Sequence, residues 1–233
     1  MSKYGQYCPV ARALEILGDR WTLLIIRDML TGTRHFNDLK RGLPGLSTGL
    51  LSKRLRQLEY AGIIEKRVFE LGRQNTEYHL TPAGQALEPV IGALLGWGAA
   101  WAFGDPSPDE LDPLLLMWWM HDHVDRAQLP DHRVVIQYDF HGAKTETYWL
   151  VLAREDVTVC LTDPGYEVDV LVDTDLAVFF KVWLGRIDYR EAIGEYGLRV
   201  TGVPRLTRAF PRWFTWSPAA PAVRAVRAQP DAV

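Results

Sequence analysis

The sequence predicts an α+β protein made of two units, and three observations support this prediction. Helical and strand periodicities both occur along the 233 residues, with helices first and a short hairpin after them. Residues 104–108, GDPSP, have the composition of a linker. Residues 1–104 contain 13 Lys/Arg and 9 Asp/Glu, whereas residues 105–233 contain 13 and 20. We therefore divide the chain into units 1–104 and 105–216 and a disordered tail, 217–233.

Three helices are predicted at the start of the first unit. Apolar residues recur at helical spacing over residues 10–17. Residues 21–30 are almost wholly apolar but too short to cross a bilayer, which indicates a buried central helix. A shorter helix follows over residues 36–43, and Ser47 is a suitable N-cap for a fourth helix.

The fourth helix has two chemically different faces. Leu51, Leu55 and Leu58 are spaced to form one buried stripe. At about 100° per residue, small, hydroxyl and cationic side chains fall on the opposite face. These are Gly49, Ser52, Lys53, Arg56 and Tyr60, with Arg54 on a flank. We expect the helix to pack through its leucines and to show its cations to solvent.

A hairpin is predicted after the fourth helix. Residues 63–69 and 76–80 have the character of strands, and the Gly and Asn between them favour a turn. The hairpin carries Arg67, Arg73 and Gln74 at or near its tip.

A long helix is predicted from Pro82 onward, with Thr81 as its cap. Its apolar stripe includes Leu94, Trp97 and Trp101, and the core of the first unit is complete without it. The stripe therefore needs another surface to cover it, and a second copy of the chain is the simplest source of that surface.

Helices, a cationic fourth helix and a hairpin, in this order, form a winged helix-turn-helix. A helix has the right width for the major groove of duplex DNA, and its N-terminal half enters first. Arginines add salt-dependent contacts to phosphates. A merely solvated charged face is the alternative interpretation. The predicted DNA contacts are Ser47, Thr48, Gly49, Ser52, Lys53 and Arg56 at or near base edges, Arg54, Arg67 and Arg73 at phosphates, and Arg34 and Gln74.

Several short motifs carry a resemblance to a known family. They are GDRW at 18–21, GLS at 45–47, RL at 54–55, GI at 62–63, EY at 77–78 and LT at 80–81, with Cys8, Gly84 and Trp97. Through them, residues 8–97 resemble the HxlR family of bacterial transcriptional regulators, a branch of the MarR-like winged-helix group. The resemblance implies a homodimer, formed through the first helix and the helix after the wing, on palindromic operator DNA. Its recognition helices would lie roughly 34 Å apart. Residues 71–76, LGRQNT, lack the proline often found in the wing.

Cys8 matches the cysteine that some HxlR-family members use to sense oxidants or electrophiles. Such a role needs a lowered thiol pKa, and Lys3 and Arg12 are the nearby cations in the sequence. The alternative is a small apolar residue packed beside the first helix. Because Cys8 and Cys160 lie far apart in the sequence, neither a disulfide framework nor a zinc cluster is predicted.

The second unit is predicted to contain one helix, then an antiparallel sheet, then further helices that cover it. The first helix is expected over residues 109–124. Asp173 or Thr174 is expected to cap the helix after the sheet, and a short helix is expected near residues 189–195. The four strands of the expected antiparallel meander are 134–140, 145–153, 157–161 and 168–172.

Residues 130–214 weakly resemble the sterol carrier protein type-two fold, through DTDL at 173–176, WLGR at 183–186 and GLRVTG at 197–202. Domains of that fold bind apolar small molecules or act as accessory modules of enzymes. A pocket for a small apolar or aromatic effector is one expectation, and an ordinary core with a dimer contact is the other. The candidate lining residues are Trp118, Trp149, Phe179, Trp183, Phe210, Trp213 and Phe214.

Catalysis is not expected, because the sequence has no phosphate loop, no G-x-G-x-x-G and no G-x-S-x-G motif. His121 and His123 are two positions apart and face away from each other on a helix, which argues against a shared metal. Neither a metal nor a cofactor is predicted. A cytoplasmic protein without membrane contact is expected. We predict a DNA-binding repressor that senses a ligand; the alternative is an apolar-ligand carrier without sequence-specific DNA binding.

Overall fold

The computed structural model describes residues 4–71, 73–142 and 145–228, without the side chains of residues 70–75. It divides into two compact units, Met1–Leu94 and Leu95–Val233. This boundary lies before the linker predicted from composition. Both units combine helices with strands, in agreement with the predicted α+β class. No helix among the described residues is long and apolar enough to cross a membrane.

The first unit consists of helices followed by a two-stranded antiparallel hairpin, and its last helix continues into the second unit. Its elements are α1 (Pro9–Leu17), α2 (Thr22–Leu30), α3 (Phe36–Gly42), α4 (Thr48–Tyr60), β1 (Ile64–Leu71), β2 (Arg73–Leu80), α5 (Pro82–Gln85) and α6 (Glu88–Trp101).

The core of the first unit is built from α2, α3, α4 and the hairpin. Ile25, Ile26 and Met29 of α2 are fully buried, which confirms the predicted central helix. The hairpin closes the core through Ile64 and Leu80, which face each other across β1 and β2. Burying these side chains supplies the main stabilisation of the unit.

The helix predicted from Pro82 onward is two helices, which corrects that expectation. Pro89 has no N–H to donate to the carbonyl of Gln85, and its ring would clash with that carbonyl in a continuous helix. α5 therefore ends at Gln85, and α6 begins at Glu88. The predicted cap is present, because the Thr81 side chain accepts a hydrogen bond from the amide of Gly84 at 3.3 Å.

The second unit contains a five-stranded sheet in the order β5-β4-β3-β6-β7. Helices precede, follow and separate its strands. Its further elements are α7 (Pro113–Asp122), β3 (Val134–His141), β4 (Glu146–Leu152), β5 (Val157–Cys160), β6 (Val170–Asp175), α8 (Leu176–Trp183), α9 (Tyr189–Glu195), β7 (Arg199–Gly202), α10 (Pro204–Ala209) and α11 (Ala220–Arg227).

The predicted antiparallel meander is wrong in its fourth strand. β3, β4 and β5 are antiparallel neighbours, as expected. β4 pairs with one edge of β3, so β6 pairs with the other edge. β6 runs parallel to β3, with Val170 opposite Ile136. Period-two spacing predicts that a segment is a strand, but it does not encode which edge the segment joins.

Two helix starts also differ from the sequence prediction. α7 begins at Pro113, because Asp112 caps it by accepting from the amide of Leu115 at 3.0 Å. Asp175 caps α8 instead of Asp173 or Thr174, which belong to β6. Its carboxylate accepts from two amides of the first turn of α8.

Part of the tail predicted to be disordered is helical. Within residues 217–233, α11 buries Ala220 and Val223, two positions on one face of the helix. A Cβ on Gly185 would lie 2.9 Å from the Cβ of Ala220, so α11 packs closely at this glycine. Residues 229–233 lie outside the described residues. The Ala, Pro and Arg content of the segment led to the prediction of disorder and concealed this short apolar stripe.

Gly84→Ala should lower the free energy of unfolding by about 1–3 kcal/mol. The added Cβ would lie 2.3 Å from the carbonyl oxygen of Ile63, which cannot move without displacing the hairpin. Gly92→Ala is the matched control, because a Cβ there meets nothing within 4 Å. Helix propensity should make that variant more stable by about 0.5–1 kcal/mol. Urea denaturation followed by circular dichroism measures both; equal stabilities would contradict the packing around Gly84.

Candidate nucleic-acid interface

Helix α4 is held in one orientation by its leucines and its cap. Leu51, Leu55 and Leu58 are at most 2% exposed, which confirms the predicted buried stripe. The side chain of Ser47 accepts a hydrogen bond from the Leu50 amide at 3.2 Å. That bond satisfies one of the free N–H groups at the start of the helix. The opposite face of α4 is therefore presented to solvent.

The exposed face of α4 offers cations without local neutralisation. Lys53 and Arg56 are exposed, and neither forms an ion pair within the part of the chain that the structure describes. The Nε of Arg56 donates to the carbonyl of Ser52 at 3.2 Å, which keeps the guanidinium along the helix surface. A Cβ at Gly49 would meet nothing within 4 Å, so the backbone there is open to close approach. The hydroxyl groups on this face belong to Ser47, Thr48 and Ser52.

Arg54 has a structural role, because it links α4 to other parts of the first unit. Its side chain is 12% exposed and forms an ion pair with the carboxylate of Asp19. The guanidinium also donates to the carbonyl of Arg20 at 3.2 Å and to Oε1 of Gln57 at 2.7 Å. These bonds tie α4 to the turn between α1 and α2. The predicted contact of Arg54 with a phosphate would require this network to break.

Arg34 has a similar structural position between α2 and the hairpin. Its Nη1 donates to the carbonyls of Met29, at 2.5 Å, and Thr33, at 3.1 Å. Its own carbonyl accepts from the amide of Tyr78 in β2 at 2.8 Å. Arg34 thus links the end of α2 to the wing, and its predicted DNA contact competes with these bonds.

The wing has one paired and one unpaired cation on β1. Arg67 is exposed but bonds to Glu65, with Nε 2.8 Å from Oε1, which reduces its positive potential. Lys66 is exposed and forms no ion pair among the described residues, although the sequence interpretation did not include it. Strand alternation was the available signal, since it places Lys66 and Arg67 on opposite faces. The side chains of Arg73 and Gln74 lie outside the described residues.

The aromatic residues predicted to line a pocket mostly lie in the core of the second unit. Trp118 and Trp149 are half-buried, and the Trp118 ring lies 5.2 Å from the ring of His121. The Phe210 ring centroid is 5.6 Å from that of Phe214. Such edge-on contacts are those of a packed aromatic core. The fully or nearly fully buried members are Phe179, Trp183, Phe210, Trp213 and Phe214.

The remaining candidate groups occupy separate positions. Cys8 and Cys160 are both free thiols and half-buried, and burial raises the pKa of the Cys160 thiol. His121 bonds to Asp122 through Nδ1 at 2.7 Å, which raises the pKa of its imidazole, whereas His123 bonds to the Trp119 carbonyl. In the described ranges no three His, Cys, Asp or Glu side chains lie together so as to hold a metal.

A buried helical core, a fourth helix with an outward cationic face and a two-stranded hairpin define a protein of the winged helix-turn-helix class. Comparison with known proteins agrees with this class. A family model described as HxlR-like helix-turn-helix matches residues 16–105.

Two curated bacterial proteins show the extent of the similarity. The HTH-type transcriptional regulator YvaP of Bacillus subtilis is 37% identical over 104 residues, which cover 44% of this chain and 94% of YvaP. The HTH-type transcriptional regulator sll1512 of Synechocystis is 37% identical over 97 residues, covering 42% of this chain and 72% of that protein. The crystal structure of PA1607 is 38% identical, with a TM-score of 0.41, and the match covers 47% of this chain and 74% of PA1607.

The chain belongs to the HxlR-like helix-turn-helix family. It is accordingly a DNA-binding transcriptional regulator, as the sequence predicted.

Arg54→Lys should destabilise the first unit by about 1.5–3 kcal/mol, because an ammonium group cannot reach all the acceptors that the guanidinium serves. Arg56→Lys is the matched control on the same helix, and we expect it to change stability by less than about 0.5 kcal/mol. Thermal and urea denaturation of the two variants give the comparison. If Arg54→Lys is as stable as Arg56→Lys, Arg54 does not brace α4.

Proposed function

We propose that the protein binds a palindromic operator as a homodimer, with α4 of each copy in the major groove, and represses transcription. The observation that carries this proposal is that α4 has one buried face and one exposed face. Its leucines are fixed in the core, while Lys53 and Arg56 are exposed and unpaired in the described part of the chain. Cations held at a surface without acidic partners favour a polyanion.

The contacts follow from the direction of α4. Its N-terminal residues Ser47, Thr48 and Gly49 would lie nearest the base edges, where hydroxyl groups and an open backbone allow close approach. Lys53 and Arg56 lie further along the same face and would reach phosphates or bases. Arg34 and Arg54 would position the interface from within the unit.

Dimer formation is supported by the unusual surface of α6. This 14-residue apolar helix has no buried residue. Val90, Leu94, Trp97 and Trp101 are 43–62% exposed and recur at helical spacing along one side. An uncovered stripe of this size marks an interaction surface.

The first helix offers a second uncovered apolar surface, with Val10 67% exposed and Leu14 44% exposed. We propose a second copy as the occupant of both surfaces, because the resemblance to the HxlR family implies dimers formed by these two helices. A twofold dimer would place its α4 helices roughly 34 Å apart, one turn of the duplex. Such a dimer would cover the operator, and this is the basis for proposing repression.

For the second unit we propose a sterol carrier-like module that senses a small molecule. The sheet followed by α8, which Asp175 caps, supports the resemblance to that fold. Five of the seven aromatic residues proposed to face the effector form a packed core, so their role would be to support a binding site.

Lys53→Ala and Arg56→Ala should each weaken operator binding by about tenfold. Each should also reduce the slope of log affinity against log salt concentration by about 0.9, because one phosphate contact is lost. Fluorescence anisotropy with duplexes from the DNA upstream of the protein's own gene, at several salt concentrations, measures both quantities. Arg205→Ala, which removes an exposed arginine of α10 in the second unit, is the control and should bind as the wild type does.

Two outcomes would contradict this proposal. One is an unchanged affinity in both α4 variants. The other is no binding to any duplex together with retained uptake of apolar dyes, which would favour the carrier alternative.

Trp97→Asp should convert the dimer to a monomer, because it places a charge in the middle of the apolar stripe of α6. Size-exclusion chromatography with light scattering measures the mass. Ile193→Asp is the control, since Ile193 is an exposed apolar residue of α9, 48% exposed, outside both proposed surfaces. A monomeric wild type, or an unaffected dimer in Trp97→Asp, would overturn the proposed assembly.

A further inference from the structure

A cavity of about 680 Å³ lies at the end of α6, within the second unit. Its volume falls in the range of small-molecule sites. Three segments that are distant in the sequence form its wall: the end of α6 with the following turn, Arg186, and α11. The lining residues are Ala99, Ala100, Trp101, Ala102, Phe103, Gly104, Arg186, Val223, Val226 and Arg227.

The wall is apolar except for two arginines. Both Arg186 and Arg227 also line a second, smaller cavity of about 280 Å³. That neighbouring cavity is lined mainly by charged and polar groups, including Lys181, Asp105 and Glu191. The two cavities therefore adjoin at the arginines, so that a half-open apolar groove meets a charged one.

The charged residues that line the smaller cavity are three cations and two carboxylates, and most of them are already paired. Lys181 lies 3.2 Å from the carboxylate of Asp105, which is 73% exposed to water. Arg186 donates to the carbonyls of Phe103 and Gly104, just after α6, and its Nη1 lies 3.6 Å from the carboxylate of Asp105. Arg227 lies 2.9 Å from Glu191. The carboxylate of Asp188 also acts on the guanidinium of Arg227, so the cations are largely balanced and the site relies on the unused N–H donors of the two arginines. A guanidinium has five N–H donors, so these arginines retain donors for a further anionic oxygen.

Glu191 has a second structural task that limits how far it neutralises Arg227. Its carboxylate accepts from the amide of Asp188 at 3.3 Å as part of the capping box of α9. The carboxylate is shared between a helix cap and the guanidinium.

We propose that this cavity binds a small organic anion with an apolar or aromatic body, of the carboxylate class. The apolar body would lie against Val223, Val226 and the alanines of α6, and the carboxylate would bind Arg186 and Arg227. A bidentate arginine contact is the usual mode of carboxylate recognition. The site itself does not depend on the proposed operator binding.

Helix α6, which carries the proposed dimer surface, also lines the cavity. Ala99 lies on the side of α6 opposite Trp97, at about 100° per residue. Trp101, which belongs to the exposed apolar stripe of α6, also lines the cavity, so the end of α6 takes part in both the cavity and the proposed dimer surface. A ligand that prefers one position of α6 would shift the dimer equilibrium, and this coupling does rest on the proposed function.

Isothermal titration of the full-length protein with 1-naphthoate and with its uncharged analogue 1-naphthamide tests the site. We expect saturable binding of 1-naphthoate with one molecule per chain, and affinity for 1-naphthamide weaker by about tenfold or more. Arg227→Gln should reduce the 1-naphthoate affinity by about tenfold. Arg224→Gln is the matched control on α11, since Arg224 does not line the cavity.

A second variant tests the site independently, in case Arg227→Gln does not fold. Val226→Trp fills the half-open apolar groove, leaves both arginines in place and should abolish binding. Equal affinity for the two probes, equal affinity of Arg227→Gln and Arg224→Gln, or unchanged binding by Val226→Trp would overturn the proposal. Because no DNA is present, failure here is separate from failure of operator binding.

Adding 1-naphthoate to the operator titration then tests the coupling alone. A changed operator affinity in the wild type, but not in Val226→Trp, is expected. The same change in both would show that the ligand acts elsewhere.

Discussion

The rest of the structure depends on the burial of the leucine stripe of α4. Each of Leu51, Leu55 and Leu58 contributes about 1.5–3 kcal/mol when it leaves water, and all three can be buried in only one rotation of the helix. Any other rotation would bury Lys53 or Arg56, whose desolvation is far more costly. The packing energy of the core thereby directs the cations outward. The Ser47 cap fixes where the helix begins, so the hydroxyl groups precede the cations along the exposed face.

Local periodicity was sufficient for the order of elements from α1 to β2 and for the faces of α4. It was not sufficient for the flanking arginines. Arg54 and Arg56 are two residues apart, yet the partners of Arg54 include Asp19, which is 35 residues away. Contacts of that kind are absent from a helical wheel, so a brace and a free cation have the same appearance in the sequence. The break between α5 and α6 was predictable from the sequence, since Pro89 would interrupt a continuous helix.

In the second unit four of the five strands were predictable one by one, whereas β7 and the arrangement of the strands were not. Whether β6 joins β3 or continues a meander depends on contacts between distant segments. The aromatic residues posed a similar difficulty, because a packed core and a ligand pocket need the same side chains. The cavity with the arginines requires α11, which composition assigned to disorder, and the end of α6. That helix begins in one unit and ends in the other.

The orientation of α4 toward DNA can be measured directly by lysine acetylation footprinting with mass spectrometry, with and without operator duplex. Lys53 is exposed and unpaired in the described residues, whereas Lys181 of the second unit is bound to Asp105. The account predicts that duplex DNA protects Lys53 from acetylation and leaves the reactivity of Lys181 unchanged. Full reactivity of Lys53 in the bound complex, with protection confined to lysines of the second unit, would contradict it.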